Sequence, residues 1–93
     1  MKEFTCTVQD PNGLHARPAG RLTALAKGFA ASITVSANGK TADCKRLLSV
    51  MGLGAVCGTE LRFTAEGEDE AEAAEALAQF CTQQNGGDDG NGG

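Results

Sequence analysis

The 93-residue chain contains no tryptophan and no tyrosine, and its only aromatic residues are four phenylalanines. Aliphatic side chains must therefore supply most of any core. No apolar run approaches the roughly 18 residues that a membrane span needs. The N-terminal stretch MKEFTCTVQD is polar and alternating, without the apolar centre of a signal peptide. We therefore predict a cytoplasmic protein that does not insert into a membrane.

Charge is distributed unevenly along the chain. Residues 1–62 hold all eight Lys and Arg residues and four acidic residues, whereas residues 63–93 hold eight acidic residues and no base. The basic residues form no long run and are not interleaved with aromatic residues, as they commonly are in nucleic-acid-binding proteins. The pattern argues against a nucleic-acid partner and leaves room for a moderately basic patch that meets one phosphate or an acidic surface.

The four cysteines include no CxxC or similarly close pair. This spacing favours neither a zinc site nor thioredoxin-type chemistry, so we predict no metal and no other cofactor. In a reducing compartment thiols act as small hydrophobic groups. We therefore expect four small buried hydrophobic residues at Cys6, Cys44, Cys57 and Cys81.

Hydrophobic periodicity predicts seven elements in the order βαββαβα. The Asn38-Gly39 pair is a strong hairpin signal between the second and third strands, so the sheet is at least partly antiparallel. Amphipathic helices over one face make this an α/β (α+β) open-faced β-sandwich. Strands are predicted at 3–8, 32–37, 40–44 and 59–67, and helices at 16–27, at 45–52 and after residue 69.

The end of the chain is predicted to contain one helix and a tail. Asp69 and Glu72 have the spacing of a capping box at the start of the last helix. We expect one domain over residues 1–85 and a disordered, Gly-rich acidic tail over residues 86–93.

The single histidine lies in the stretch NGLHARPAG. If the helix begins at Ala16, His15 is its N-cap, and the amides of Ala16 and Arg17 have no acceptor within the helix. Pro18 has no amide hydrogen and suits a first turn. The guanidinium of Arg17 can bind phosphate oxygens, and Arg21 extends the positive rim one turn further. The pattern predicts a nucleophilic imidazole beside an anion-binding helix terminus.

Two other roles for His15 are less well supported. A general base needs an orienting carboxylate, and Asp10, the only acid nearby in sequence, precedes the turn at Pro11. A metal ligand needs partners, and the chain has neither a second histidine nor a close cysteine pair. The glycine-rich stretch GLGAVCG has the wrong spacing for a dinucleotide-binding loop.

Several motifs at matching spacing resemble the HPr family, the histidine-containing phosphocarrier proteins of the bacterial phosphotransferase system. The resemblance covers residue 2 to about residue 84 and includes GLHARPAG, AKGF, ITV, NGKTA, KRLLSVMGLG and AEGEDE. It implies a four-stranded antiparallel sheet with three helices on one face. It also implies that His15 accepts phosphate on Nδ1 from phospho-Enzyme I and passes it to an Enzyme IIA domain. Arg17 is then its electrostatic partner. The carrier is expected to be a monomer, and it is not expected to be an enzyme.

The resemblance also implies a docking surface beside the histidine. Its apolar centre comes from the short helix, and basic residues that suit acidic partners surround it. Val50 in the same helix is expected to be core. The predicted partner-binding residues are Ala16, Gly20, Arg21, Ala24, Lys45, Arg46, Leu47, Leu48 and Met51.

Arg46 departs from one branch of the family. Where an HPr kinase regulates the protein, a serine stands at this position, so the resemblance does not extend to that control. Two other functions stay open: a regulatory module, such as the nitrogen-related paralogues, that binds and modulates partner proteins, and a small cysteine or metal protein. Sugar uptake in a deletion strain distinguishes a transport role from a regulatory one. The metal content after purification tests whether the chain is a small cysteine or metal protein.

Overall fold

The computed structural model describes residues 1–83, so the predicted tail over 86–93 lies outside the described residues. One antiparallel sheet contains the strands β1 (Lys2–Thr7), β2 (Ser32–Ala37), β3 (Lys40–Asp43) and β4 (Glu60–Glu66). Their spatial order is β1-β4-β2-β3, which places β4 and β2 at the centre.

Three helices pack on the sheet: α1 (Ala16–Lys27), α2 (Leu47–Met51) and α3 (Glu70–Gln83). The predicted open-faced β-sandwich with the order βαββαβα is confirmed. None of the helices within residues 1–83 is long and apolar enough to cross a membrane.

The core lies between the helices and one face of the sheet. Alternate residues of the central strands are buried, among them Val35 in β2 and Phe63 in β4. Polar residues such as Arg62 and Thr64 alternate with them and face the other side. In α1 the buried stripe includes Leu22. Because these apolar side chains lie on one side of the sheet, the helices cover only that face.

The turn between β2 and β3 follows the predicted hairpin. Asn38 and Gly39 have φ angles of 54° and 78°, the left-handed region that a two-residue hairpin turn requires. The side-chain amide of Asn38 donates to the carbonyl of Leu53 at 3.0 Å, just after the C-terminal end of α2. The hairpin thus holds the chain where it leaves α2.

The short helix α2 begins later than the predicted residue 45. A turn precedes it, because the amide of Lys45 donates to the Asp43 carboxylate at 2.9 Å and the amide of Arg46 donates to the Asp43 carbonyl at 3.0 Å. Arg46 has extended backbone angles and is the N-cap. The Asp43 side chain thus stabilises a turn over residues 43–46, and the helix begins only after it, at Leu47.

The expectation of four small buried cysteines is confirmed for Cys44 and Cys81 and is wrong for Cys6, which is half-buried, and for Cys57, which is exposed. Cys6 in β1 and Cys81 in α3 form a disulfide, with their Cα atoms 6.2 Å apart. Cys57 is an exposed thiol, and only Cys44 is a buried one. Cys6 faces the helix side of the sheet, where α3 crosses β1, so a pair separated by 75 residues in sequence meets in space.

The predicted capping box at Asp69 is wrong in its pairing. The Asp69 carboxylate accepts hydrogen bonds from the amides of Ala30 and Ala31, at 2.9 and 2.8 Å, in the segment after α1. The carboxylate that reaches back at the start of α3 belongs to Glu70, which accepts from the amide of Gly67 at 3.0 Å. Close packing of the two segments offers Asp69 the unpaired amides of another element.

Candidate functional site

A tight turn precedes the histidine. The amide of Asn12 donates to Asp10 Oδ1 at 2.9 Å, and the amide of Gly13 donates to the Asp10 carbonyl at 2.8 Å. Gly13 has a φ of 75°, and a Cβ there would lie 2.6 Å from the carbonyl oxygen of Ala55. Only glycine fits this close approach between the two loops.

The same neighbouring loop holds the next residue. The amide of Leu14 donates to the carbonyl of Ala55 at 2.9 Å, and the Leu14 side chain is buried in the core. The backbone is therefore fixed directly before His15. A residue that follows such an anchored segment can present its side chain in a defined direction.

His15 is the N-cap of α1 with extended backbone angles, and its side chain does not cap the helix. Its carbonyl accepts the first intrahelical hydrogen bond, from the amide of Ala19 at 3.0 Å. The amides of Ala16 and Arg17 have no acceptor within the helix, and Pro18 has no amide hydrogen. The predicted start of the helix at Ala16 is confirmed.

The imidazole is accessible and has one hydrogen-bond partner among residues 1–83. Its side chain is 37% exposed, and Nε2 lies 3.4 Å from Asp10 Oδ2. The amide of Asn12, together with His15 and Arg17, holds the pKa of Asp10 below its usual value against the effect of partial burial. Asp10 is therefore an anion at neutral pH and contacts the ring. Analysis of the sequence missed this contact, although an Asp-Pro-Asn-Gly turn that folds back could have indicated it.

One face of α1 continues the site away from the imidazole. Arg17 and Arg21 are exposed on successive turns, in agreement with the predicted positive rim. Ala16 and Ala24 are exposed as well, and Gly20 is partly exposed between them. The small side chains beside the two arginines leave the backbone of α1 open to close approach by a partner.

The short helix supplies an exposed apolar surface. Leu48 is 82% exposed, and Leu47 and Met51 also reach solvent, whereas Val50 is buried in the core as predicted. The loop after this helix packs on the turn before His15 through Ala55. The C-terminal end of α2 therefore lies on the His15 side of the molecule.

Val56 is an exposed hydrophobic residue that the sequence analysis missed. Its side chain is 64% exposed, and its Cα lies next to Gly13 in the turn before the histidine. In sequence it belongs to a glycine-rich connection with no periodicity, so no pattern distinguished it from a residue that merely links two elements.

Lys45 lies apart from His15. It is half-buried, and its Nζ donates to the carbonyl of Phe29 at 2.8 Å, beyond the C-terminal end of α1. A helix of this length separates its two ends by about 18 Å. The structure therefore gives the Lys45 ammonium a contact within the fold, whereas its neighbour Arg46 is exposed.

Known proteins match this chain over almost all of its described length. The family model described as the PTS HPr component phosphorylation site matches residues 2–83. The phosphocarrier protein HPr of Lysinibacillus sphaericus is 47% identical over 83 residues, which are 89% of this chain and 94% of that protein. HPr of Vibrio cholerae is 42% identical over 83 residues, 89% of this chain and 98% of that protein.

A solved structure agrees with the same assignment. The histidine-containing phosphocarrier protein of Mycoplasma matches with a TM-score of 0.86 at 35% identity, covering 89% of this chain and 94% of that chain. Fold, site and relatives together define a phosphocarrier of the phosphotransferase system. Within that class, the chain belongs to the HPr family.

Proposed function

We propose that His15 is the phosphoacceptor of this carrier. It receives a phosphoryl group from phospho-Enzyme I and passes it to an Enzyme IIA domain of a sugar permease. The observation that carries the proposal is the accessible imidazole at the N-cap of α1, next to two amides without intrahelical acceptors. The carrier acts stoichiometrically, as a cytoplasmic monomer, and has no turnover of its own.

The chemistry needs little beyond positioning and charge. A neutral ring nitrogen attacks phosphorus with its lone pair, and the bond from phosphorus to the donor atom breaks with its electron pair left on the donor. The amides at the start of α1 and the guanidinium of Arg17 face the new negative charge. The helix dipole contributes about 0.3–1 kcal/mol. A modest contribution suits a carrier, which must release the phosphoryl group again.

We propose further that both partners dock on one surface beside the imidazole, which we call the docking patch. Exposed apolar residues form its centre, and arginines of α1 and α2 lie around it. Such a patch fits a partner with an apolar centre and an acidic rim. The docking patch consists of Ala16, Arg17, Gly20, Arg21, Ala24, Arg46, Leu47, Leu48, Met51 and Val56.

The test of the proposal is a reconstituted transfer. Mixed with phosphoenolpyruvate and Enzyme I, the protein should gain one acid-labile phosphate per chain and lose it when an Enzyme IIA domain is added. His15→Ala should gain none, and a His15→Ala protein that is still labelled rejects the proposal. Leu48→Asp should weaken docking and raise the KM of Enzyme I for the carrier, whereas Ala71→Asp, on the exposed side of α3, should not.

A further inference from the structure

A backbone hydrogen bond holds the carboxylate of Asp10 in place. One oxygen, Oδ1, accepts a hydrogen bond from the amide of Asn12 at 2.9 Å. The backbone carbonyl of Asp10 accepts one from the amide of Gly13 at 2.8 Å. The Asp10 side chain is only 24% exposed. A carboxylate fixed by one oxygen has a defined direction for its other oxygen.

That other oxygen points at the histidine. Oδ2 lies 3.4 Å from Nε2 of His15, and this is the ring's only hydrogen bond within residues 1–83. A carboxylate accepts hydrogen bonds and donates none when it is ionised. Its partner nitrogen must then carry the ring proton, because the hydrogen bond made by one ring nitrogen decides where the proton of a neutral imidazole resides.

We propose that Asp10 is a positioning residue that keeps the His15 proton on Nε2 and so leaves the Nδ1 lone pair free to accept phosphate. This inference rests on the proposed function and adds a residue to it. Asp10 does not touch the phosphoryl group. It acts through the imidazole, whose tautomer and orientation it holds.

The transfer balances with the proton in place throughout. The Nδ1 lone pair forms the bond to phosphorus, and the electron pair of the broken bond stays on the donor atom. The ring then bears a positive charge that it shares with Nε2–H, and the contact with Oδ2 becomes a charge-assisted hydrogen bond. Because this bond strengthens as the ring gains charge, it favours the transition state over the free carrier. When phosphate leaves, its bonding electrons return to Nδ1.

The test compares Asp10→Asn with a matched control, Asp43→Asn. Both aspartates accept a hydrogen bond from the amide of the residue two positions later, at 2.9 Å. For Asp43 that residue is Lys45, whose side chain contacts Phe29, beyond the end of α1 opposite His15. In Asp10→Asn the amide oxygen can keep the bond to Asn12 and turns its NH2 group toward Nε2. That group donates, so it favours the tautomer with the proton on Nδ1.

We expect Asp10→Asn to lower the kcat of phosphorylation by Enzyme I about tenfold with an unchanged KM. Asp43→Asn should change neither constant. At about pH 9, where a free imidazole is neutral, the 15N spectrum of the wild type should place the proton on Nε2, and that of Asp10→Asn should show a substantial population with the proton on Nδ1.

Two results overturn the inference while the proposed function survives. One is a wild-type spectrum with the proton on Nδ1, which needs no variant at all. The other is an Asp10→Asn protein that is phosphorylated on His15 at the wild-type rate. Failure of the proposed function looks different, because the wild type itself then gains no phosphate on His15.

Discussion

The chemistry of this carrier depends on a few atoms around one ring. His15 caps α1 with its backbone and not with its side chain, which leaves the imidazole free to face solvent and Asp10. Arg17 lies two residues further on and is exposed, close enough to lower the pKa of the Asp10 carboxyl. Its charge is therefore available to an anion that arrives at the helix terminus.

Replacement of that guanidinium should slow transfer without unfolding the protein. Arg17→Gln removes a charge-assisted hydrogen bond to phosphate, so we expect kcat for phosphorylation to fall about tenfold, or about 1.4 kcal/mol. The matched control is Arg62→Gln, an exposed position in β4 on the open face of the sheet. Rapid-quench assays with Enzyme I measure both, and equal rates for the two variants contradict the role given to Arg17.

At this scale the sequence predicts the charged and nucleophilic residues but not all of their contacts. His15 and Arg17 lie next to a predicted helix start, so local rules were sufficient to find them. The Asp10 contact needs the turn at residues 10–13 to fold back, and Val56 reaches the turn before His15 only because a distant loop packs on Gly13. Such contacts depend on tertiary structure, which single-residue patterns do not describe.

Between elements, the close packing of two loops positions the site. Gly13 approaches the carbonyl of Ala55 and the Cα of Val56 with no room for a side chain. Asn38 of the β2–β3 hairpin binds the carbonyl of Leu53, at the start of that same loop. The hairpin, the end of α2 and the turn before His15 thus form one connected support.

Two glycine variants separate backbone conformation from loop packing. Gly13 and Gly39 both have a positive φ, but a Cβ at Gly39 meets nothing within 4 Å. Gly39→Ala should lower the free energy of unfolding by about 1 kcal/mol through strain alone. Gly13→Ala should lower it by about 3 kcal/mol or more, because two backbone atoms must move. Urea unfolding measures both, and similar losses contradict the packing argument.

The start of α3 predicts a dependence of stability on pH. Hydrogen bonds from the amides of Ala30 and Ala31 lower the pKa of Asp69 in the folded protein. A lowered pKa stabilises the fold fully above the unfolded value of about 3.9, and this contribution is lost as the pH falls through the folded pKa. Asp69→Asn should therefore be less stable than wild type at neutral pH, with a gap that narrows below about pH 4.

Urea titrations from neutral to acidic pH measure this gap. Glu68→Gln is the control, since Glu68 is exposed beside Asp69 and makes no hydrogen bond within the part of the chain that the structure describes. Its stability should follow that of wild type. A gap for Asp69→Asn that stays constant down to the lowest pH contradicts the assignment.

The elements themselves were largely predictable, and their partners were not. The period of the apolar residues gives the limits of α1 at 16–27 and of β2 at 32–37, as observed. Asp69 was assigned to a capping box because the spacing to Glu72 fits one, yet its carboxylate binds a segment almost forty residues away. Capping rules apply within one helix, and here the packing of the segment after α1 against the start of α3 outweighs them.

Over the whole molecule, the disulfide connects the first strand to the last helix. Cys6 and Cys81 are 75 residues apart, so the crosslink encloses nearly all of the described chain. Analysis of the sequence could not find this pair, because cysteine spacing does not reveal which strand a distant helix crosses. Thiols stay reduced in a reducing compartment and pair in an oxidising one, so the oxidation state is expected to change the stability of the carrier.

Reduction should destabilise the fold without removing the site. Opening a loop of this length costs about 4 kcal/mol in the chain-entropy account, so dithiothreitol should lower the urea midpoint clearly. Cys57→Ser should respond like wild type, whereas Cys6→Ser/Cys81→Ser should not respond. Identical midpoints for the oxidised and reduced wild type contradict the crosslink.

Thiol reactivity gives a second view of the same crosslink. In the oxidised, folded protein only Cys57 should react rapidly with an alkylating reagent. Burial raises the pKa of the Cys44 thiol to about 12 and keeps it unreactive. More than one fast thiol in the oxidised protein contradicts this arrangement.

The most direct test of the central claim is a 31P–15N correlation spectrum of the phosphorylated, 15N-labelled protein. A ring nucleophile at the N-cap of α1, with Nε2 held by Asp10, predicts that phosphorus couples to Nδ1 of His15. A phosphorus signal that couples to Nε2, or to no nitrogen of His15, contradicts the account.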